Sequence, residues 1–253
     1  MKSSLARSNE QSRAAAVTLP TDAPDAVVAR NEHGYYCVPR SSLHRPVSRT
    51  ILDAHVWEPH TLELVCGTQP DGDIVHAGTF FGDFIPALSR SRDERARVWA
   101  FEPNRENYEC ARITVELNHL DNVRLNNAGL DEKSGTALLT TSDRLGLPAG
   151  GRSRLIPDRA RAPGASSEEV NLMRIDDVVS GDRSVAAIQL DVEGHEREAL
   201  TGAMATIARC RPLIVLEAPP RADWIETHLA PLGYRVDGAV ERNTVLRSSP
   251  PPG

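Results

Sequence analysis

Two stretches carry residues whose types and spacing could do chemistry. In "DIVHAGTFFGDF", an apolar run from Asp73 passes His76 and reaches Gly78, followed by Thr79, Phe80, Phe81, Gly82 and Asp83. A glycine at 78 lets the backbone turn tightly, and one at 82 lets the next helix begin against a ligand. The pattern fits a cofactor loop, and it also fits an ordinary turn. In "AAIQLDVEGHE", Asp191 and Glu193 follow a second apolar run, which Gly194 breaks before His195 and Glu196. A carboxylate ending a central strand is costly unless it is paired, hydrogen-bonded or bound to a ligand or metal. The alternative is helix capping, because acids favour helix N-termini.

Two more acids end apolar runs. Glu102 closes "VWAFE", roughly 20 residues beyond the glycine loop, which is the spacing of an acid that accepts hydrogen bonds from vicinal ribose hydroxyls. The alternative is a solvated acid at a strand end. Glu217 closes "LIVLE". If its strand neighbours that of Asp191, the two acids converge as a metal site, a general base or a clamp for a cation. After "NVRLN", Asn127 and Ala128 could meet an adenine edge.

The elements that must position these residues alternate from Asp73 onward. Strands are expected at "DIVHAG", "RVWAFEP", "NVRLNNAGL", "GTALLTT", "AAIQLDVEG" and "PLIVLEAP". Helices are expected at "DFIPALSRS", "NRENYECARITVELNHL", "HEREALTGAMATIARC" and "ADWIETHLAPLG". "HEREALTGAMATIARC" repeats its apolar pairs, at 199/200, 203/204 and 207/208, every turn. "YRVDG" and "NTVLR" lie too close for an intervening helix and read as a hairpin. The result is an α/β chain with a mostly parallel sheet, helices on both faces and a closing antiparallel pair. Ligands in such sheets sit beyond the carboxyl ends of the strands.

Residues 1–30 are polar and alanine-rich and read as a frayed tail. Residues 31–70 form a lead-in, with a short strand at "GYYCVP" and a helix at "EPHTLELVCG". Residues 71–248 form the main domain. Within it, residues 142–169 are rich in Gly, Pro, Ser and Arg and long for a connection, which suggests a lid bearing Arg144, Arg152, Arg154, Arg159 and Arg161, or a solvated insertion.

Composition excludes several classes. The 253 residues carry a net charge of −6, which argues against a general nucleic-acid binder. No apolar run approaches the ~20 residues of a membrane span, and the N-terminus lacks the apolar core of a secretory signal. The four scattered cysteines form no C-x-x-C pair and suit free thiols in the cytoplasm.

"AFEPNRENYECARITVELNHLDNV", "NLMRIDDVV", "IQLDVEGHEREALTGA" and "RPLIVLEAPP" together resemble the FkbM-type methyltransferases over about residues 56–247. The resemblance implies a class I, Rossmann-like methyltransferase fold with a seven-stranded sheet and S-adenosylmethionine as cofactor. "HAGTFFG" occupies the place of the family's D-x-G-A-N-x-G loop. His76, Gly78, Thr79, Phe80, Phe81, Gly82 and Asp83 would then surround the methionine part of the cofactor, Glu102 would hold the ribose, and Asn127 and Ala128 would lie near adenine. Three departures stand out: His76 replaces an acid, Phe80 replaces Asn or Gly, and Gln189 replaces a common lysine. Asp83 is a candidate to compensate at the methionyl amine.

The implied reaction is O-methylation of a small hydroxylated molecule, a sugar or a glycosylated or polyketide natural product. His195 or a carboxylate of Asp191 and Glu193 would serve as general base. In a second version, Asp191 and Glu217 bind magnesium, which acidifies the hydroxyl. "APP" follows the wrong strand for the N-P-P-Y-type motif of amino-group methyltransferases. Two other readings stay open: a nicotinamide-dependent oxidoreductase, and a non-catalytic cofactor-binding partner subunit. No nucleic-acid or membrane partner is expected, and a homo-oligomer is left open.

Overall fold

The computed structural model describes residues 18–142, 154–156 and 166–249. The chain opens with an antiparallel hairpin of β1 (Ala26–Asn31) and β2 (Gly34–Pro39), then α1 (Pro46–Leu52) and α2 (Pro59–Cys66). Next come β3 (Asp73–Ala77), α3 (Ile85–Arg90), β4 (Val98–Phe101), α4 (Arg105–Leu117) and β5 (Val123–Asn126). An intervening unit holds β6 (Ala128–Leu130), β7 (Gly135–Thr140), β8 (Arg154–Ile156), β9 (Ser167–Met173) and α5 (Ile175–Val178). The chain closes with β10 (Val185–Leu190), α6 (Glu196–Thr201), α7 (Met204–Cys210), β11 (Leu213–Leu216), α8 (Ala222–His228), β12 (Tyr234–Val240) and β13 (Asn243–Ser248).

The central sheet has seven strands in the order β12-β13-β11-β10-β3-β4-β5. The five strands β3, β4, β5, β10 and β11 are parallel, and β13 runs against both its neighbours. This is the class I methyltransferase arrangement, with the closing hairpin inserted so that the last strand lies inside the next-to-last. The dinucleotide-binding order of oxidoreductases has no such reversed strand.

Both faces of the sheet are buried, which is why its strands read as unbroken apolar runs. Val75, Ala77, Ile188, Leu190, Ile214 and Leu216 pack on one side with Ala199, Leu200 and Ile207 of α6 and α7. Ile74, Val98, Ala100, Ala187 and Val215 pack on the other with Leu62, Val65, Phe84 and Leu88. A third cluster joins Tyr36 and Val38 of the opening hairpin to Ile51, Ile113 and both phenylalanines of the glycine loop.

Four expectations need correction. Ala26–Asn31 is a strand, inside the stretch read as a frayed tail, because its partner β2 supplies a full antiparallel register; residues 1–17 lie outside the described residues. "NVRLNNAGL" is two strands that part at Asn127 and join different sheets. "GTALLTT" is β7 of a second, four-stranded sheet ordered β6-β9-β7-β8, and no part of the central one. The helix from His195 to Cys210 is broken at Gly202, where a Cβ would stand 2.1 Å from the Asp131 carbonyl oxygen. The apolar periodicity continues across that break and hides it.

The amino end of the sheet is fastened by one buried carboxylate. Asp73 is 1% exposed and accepts from the Arg97 amide at 2.9 Å, Trp99 Nε1 at 2.7 Å and Arg183 Nη2 at 2.6 Å. These bonds tie β3 to β4 and to the turn preceding β10.

His76 sits in the middle of this core, 3% exposed and stacked on Phe84 with 5.6 Å between ring centroids. It pairs in register with Gln189 on β10, and its Nδ1 hydrogen-bonds the Gln189 side chain. Two departures from the family pattern therefore face each other. A neutral histidine–amide pair thus stands where the resemblance leads one to expect an acid and a lysine.

Three results are expected. Asp73→Ala should lower the unfolding free energy in urea by about 2 kcal/mol, because it removes a buried acceptor from the Arg97 amide, the Trp99 indole N–H and the half-buried Arg183 guanidinium. Burial pushes the His76 pKa down to about 4 from 6.5. The folded chain thus excludes a proton that the unfolded chain binds, so stability is full above pH 6.5 and falls as pH drops towards 4. Relative to a His76→Gln variant, the wild-type unfolding free energy should fall by about 3 kcal/mol across that window. His76→Asp alone should destabilise the fold, and His76→Asp with Gln189→Lys should recover most of the loss in a double-mutant cycle.

Candidate active site

The carboxyl ends of β3, β4, β10 and β11 meet along one crevice. Its tightest point is the approach of Gly78 to Asp191. Gly78 has φ +79°, and a Cβ there would stand 1.7 Å from the Asp191 carbonyl oxygen. Only glycine fits, on both conformation and space. The loop continues through Phe80 at φ +52° and Gly82 at φ +87°. A phenylalanine in the left-handed region costs about 1–2 kcal/mol. Its ring is 4% exposed and sits 4.6 Å from that of Phe81, which meets Tyr36 edge-on at 6.4 Å. Ring burial in the third core cluster offsets the backbone strain.

The first hollow of the crevice is lined by Gly78, Glu102, Ala128, Leu130, Asp191 and His195, with Leu139 and Leu155 opposite. Glu102 and Asp191 therefore share one cavity. Glu102 is 4% exposed and accepts from the Phe80 amide at 2.7 Å and the Asn104 amide at 2.9 Å. Burial pushes its pKa up to about 8. Asn127 lies outside the lining. Its amide is spent on the Glu102 and Pro103 carbonyls, holding the ends of β4 and β5 together. Leu155 belongs to β8, within the 142–169 segment, so that segment contributes an apolar wall here. Arg144, Arg152, Arg159 and Arg161 lie outside the described residues, as does the side chain of Arg154.

The second hollow shares Gly78 and Asp191 with the first and adds Arg45, Trp57, Glu58, Phe80, Asp83, Glu193, Glu217 and Arg242. Carboxyl oxygens of Asp191, Glu193 and Glu217 lie within 4.8 Å of one another. Burial first, then a hydrogen bond to Glu217 and the charge of that neighbour, raises the Asp191 pKa well above its ordinary value. Burial also pushes Asp83 up to about 7. Neither Asp191 nor Glu193 caps the helix that follows: α6 begins after His195 with no side-chain cap hydrogen bond. Glu196 instead accepts from the Val192 amide at 3.3 Å and steadies the turn before the helix.

His76, Thr79 and Phe81 line neither hollow; Thr79 and Phe81 are fully buried beneath the loop. Residues missed in the sequence also shape the site. Glu58 lies at the start of α2, and the closing hairpin holds it there. Asn243 Nδ2 donates to Glu58 at 2.7 Å, and Glu241 accepts from the Thr61 amide at 3.0 Å and the Thr61 hydroxyl at 2.6 Å. The carboxylate meets the free N–H groups of a helix that has no side-chain cap of its own. Asp131, just after β6, lies 2.6 Å from His195 Nε2.

The family model for the methyltransferase FkbM domain matches residues 69–236. No curated protein matches the chain. Among solved structures, methyltransferase FkbM from Methylobacillus flagellatus KT is similar at 19% identity, over 70% of this chain and 43% of that one, with a TM-score of 0.46. A methyltransferase from Geobacter sulfurreducens matches at 18% identity over 76% and 78%, with a TM-score of 0.43. A SAM-dependent methyltransferase from Aquifex aeolicus matches at 16% identity over 81% and 93%, with a TM-score of 0.41. This chain spans less than half the length of the Methylobacillus protein. The family match extends from the strand before the glycine loop into the closing hairpin, and on it the chain belongs to the FkbM family of methyltransferases.

Proposed function

We propose that the chain transfers a methyl group from S-adenosylmethionine to a hydroxyl of a small molecule, a sugar or a glycosylated or polyketide natural product. The observation that carries this reading is the pair of hollows joined at Gly78 and Asp191. One suits the donor. Glu102 would accept from the ribose hydroxyls, Ala128, Leu130, Leu139 and Leu155 would enclose the adenine, and the glycine turn leaves room for the methionine portion. Asp191, which lines both hollows, would face the methionyl amine, with Asp83 on the far side of the waist. In this reading His76, Thr79 and Phe81 support the loop from beneath. The other hollow suits the acceptor, because carboxylates accept from hydroxyls and the Trp57 ring offers a face for a sugar.

When bound, S-adenosylmethionine supplies an electrophilic methyl carbon whose bond to sulfur breaks, the electron pair staying on sulfur, as the bond to the acceptor oxygen forms. The protein must align the acceptor and remove its proton, and alignment alone contributes on the order of 7–11 kcal/mol. Burial beside Glu217 favours the neutral form of Asp191, which makes it a poor base. We assign the base to His195, which lines the donor hollow with Asp191; the acceptor's hydroxyl would reach it past the waist. A magnesium ion on Asp191 and Glu217 would have to displace the proton that burial favours on Asp191. We place the chain in the cytosol, on its four free cysteines. Among the described residues no helix is long and apolar enough to cross a membrane.

Calorimetric titration should show binding of S-adenosylmethionine and none of NADH; the converse would mark an oxidoreductase. Glu102→Ala should weaken the donor by roughly 10-fold, from loss of the hydrogen bonds to the ribose hydroxyls. Incubation with methyl glucoside, methyl rhamnoside, methyl glucosaminide and a macrolactone diol should give one product heavier by one methyl group in mass spectrometry. Donor binding with no turnover on any hydroxylated acceptor would favour a non-catalytic subunit. His195→Ala should lower turnover by about 10²- to 10⁴-fold, and turnover should survive EDTA.

A further inference from the structure

The His195 ring is held at one nitrogen by a residue outside the glycine loop and outside the acidic strand ends. His195 Nε2 lies 2.6 Å from Asp131 Oδ2, with the side chains 23% and 17% exposed. Its Nδ1 is 3.9 Å from Glu198, beyond hydrogen-bond reach. Asp131 is itself anchored. Its amide donates to the Met173 carbonyl at 3.0 Å, and its Oδ1 accepts from the Lys133 amide at 3.2 Å. Its carbonyl oxygen lies so close to Gly202 that any side chain at 202 would collide with it. Asp131 therefore cannot drift relative to α6, which carries His195 at its first turn.

We propose that Asp131 is a positioning residue for His195: it fixes the imidazole with the proton on Nε2 and leaves the Nδ1 lone pair as the group that takes the acceptor's hydroxyl proton. This rests on His195 being the base. A carboxylate that accepts from one imidazole nitrogen selects the tautomer and steadies the imidazolium that forms when the other nitrogen is protonated. The proton leaves the acceptor oxygen as that oxygen bonds to carbon, and it resides on Nδ1. Asp131 keeps its negative charge throughout and exchanges nothing. The arrangement also explains why Gly202 interrupts the helix after Thr201, since it admits the Asp131 backbone beside α6.

The test begins without any ligand. In protein labelled with ¹⁵N-histidine, the neutral His195 ring should show the Nε2–H tautomer, and Asp131→Asn should reduce that bias while the melting profile and the other histidine signals stay in place. With the methyl glycoside selected by the panel above, Asp131→Asn should lower kcat on the order of 10- to 100-fold with little change in KM for donor or acceptor. Asp131→Glu should restore part of the loss. An Nδ1–H tautomer in the wild-type protein, or an unchanged kcat in Asp131→Asn beside an impaired His195→Ala, would overturn the positioning role and leave the base assignment intact. Full turnover by His195→Ala would overturn the base assignment itself, and the proposal with it.

Discussion

The contact between Gly78 and the Asp191 carbonyl is the constraint from which the site follows. Two parallel strands, β3 and β10, end at the same height, and their loops must diverge at once. There is no space for a Cβ between them. The backbone of one loop therefore lies against the backbone of the other, and a single crevice opens on either side of the junction. The hollow that bears Glu102 lies towards β4, and the acid-lined hollow lies towards β11. The junction is a narrow waist between them.

The glycine loop achieves its shape by unusual means. A left-handed residue without glycine or asparagine is strained, and the loop has one in Phe80. The lead-in hairpin compensates by burying the ring, together with Phe81, against Tyr36 and α4. Beneath the loop, the histidine–glutamine pair bridges β3 and β10 without charge. The loop is thus supported by ring packing on one side and by an uncharged hydrogen bond beneath. The residues that depart from the family pattern are accordingly the ones that face the core.

Much of this could be read before the fold was known, and for a physical reason. Strands buried on both faces appear as continuous apolar runs, so β3, β4, β10 and β11 stand out, and the acids that terminate them are conspicuous because a charge at a buried strand end needs an explanation. The contributions that stayed hidden are those made at long range. Asp131 meets His195 across 64 residues, and Glu241 meets Thr61 across 180. Neither acid has a local pattern that distinguishes it from a solvated turn residue. β9 was hidden for a different reason: it belongs to the smaller four-stranded sheet, and of its residues only Val170 is buried, so it lacks the apolar density of the central strands. The break at Gly202 left no trace in the periodicity, because the constraint comes from a backbone carbonyl in another element.

The grip of Glu241 and Asn243 on the start of α2 gives the molecule a modular character. The wall that bears Glu58 is set by a tight turn at the far edge of the sheet, while the side that bears Glu102 is set by β3 and β4. The two sides meet at the waist. Exchanging the two-residue turn Glu241–Arg242 would therefore reshape the acid-lined hollow and leave the opposite one as it stands.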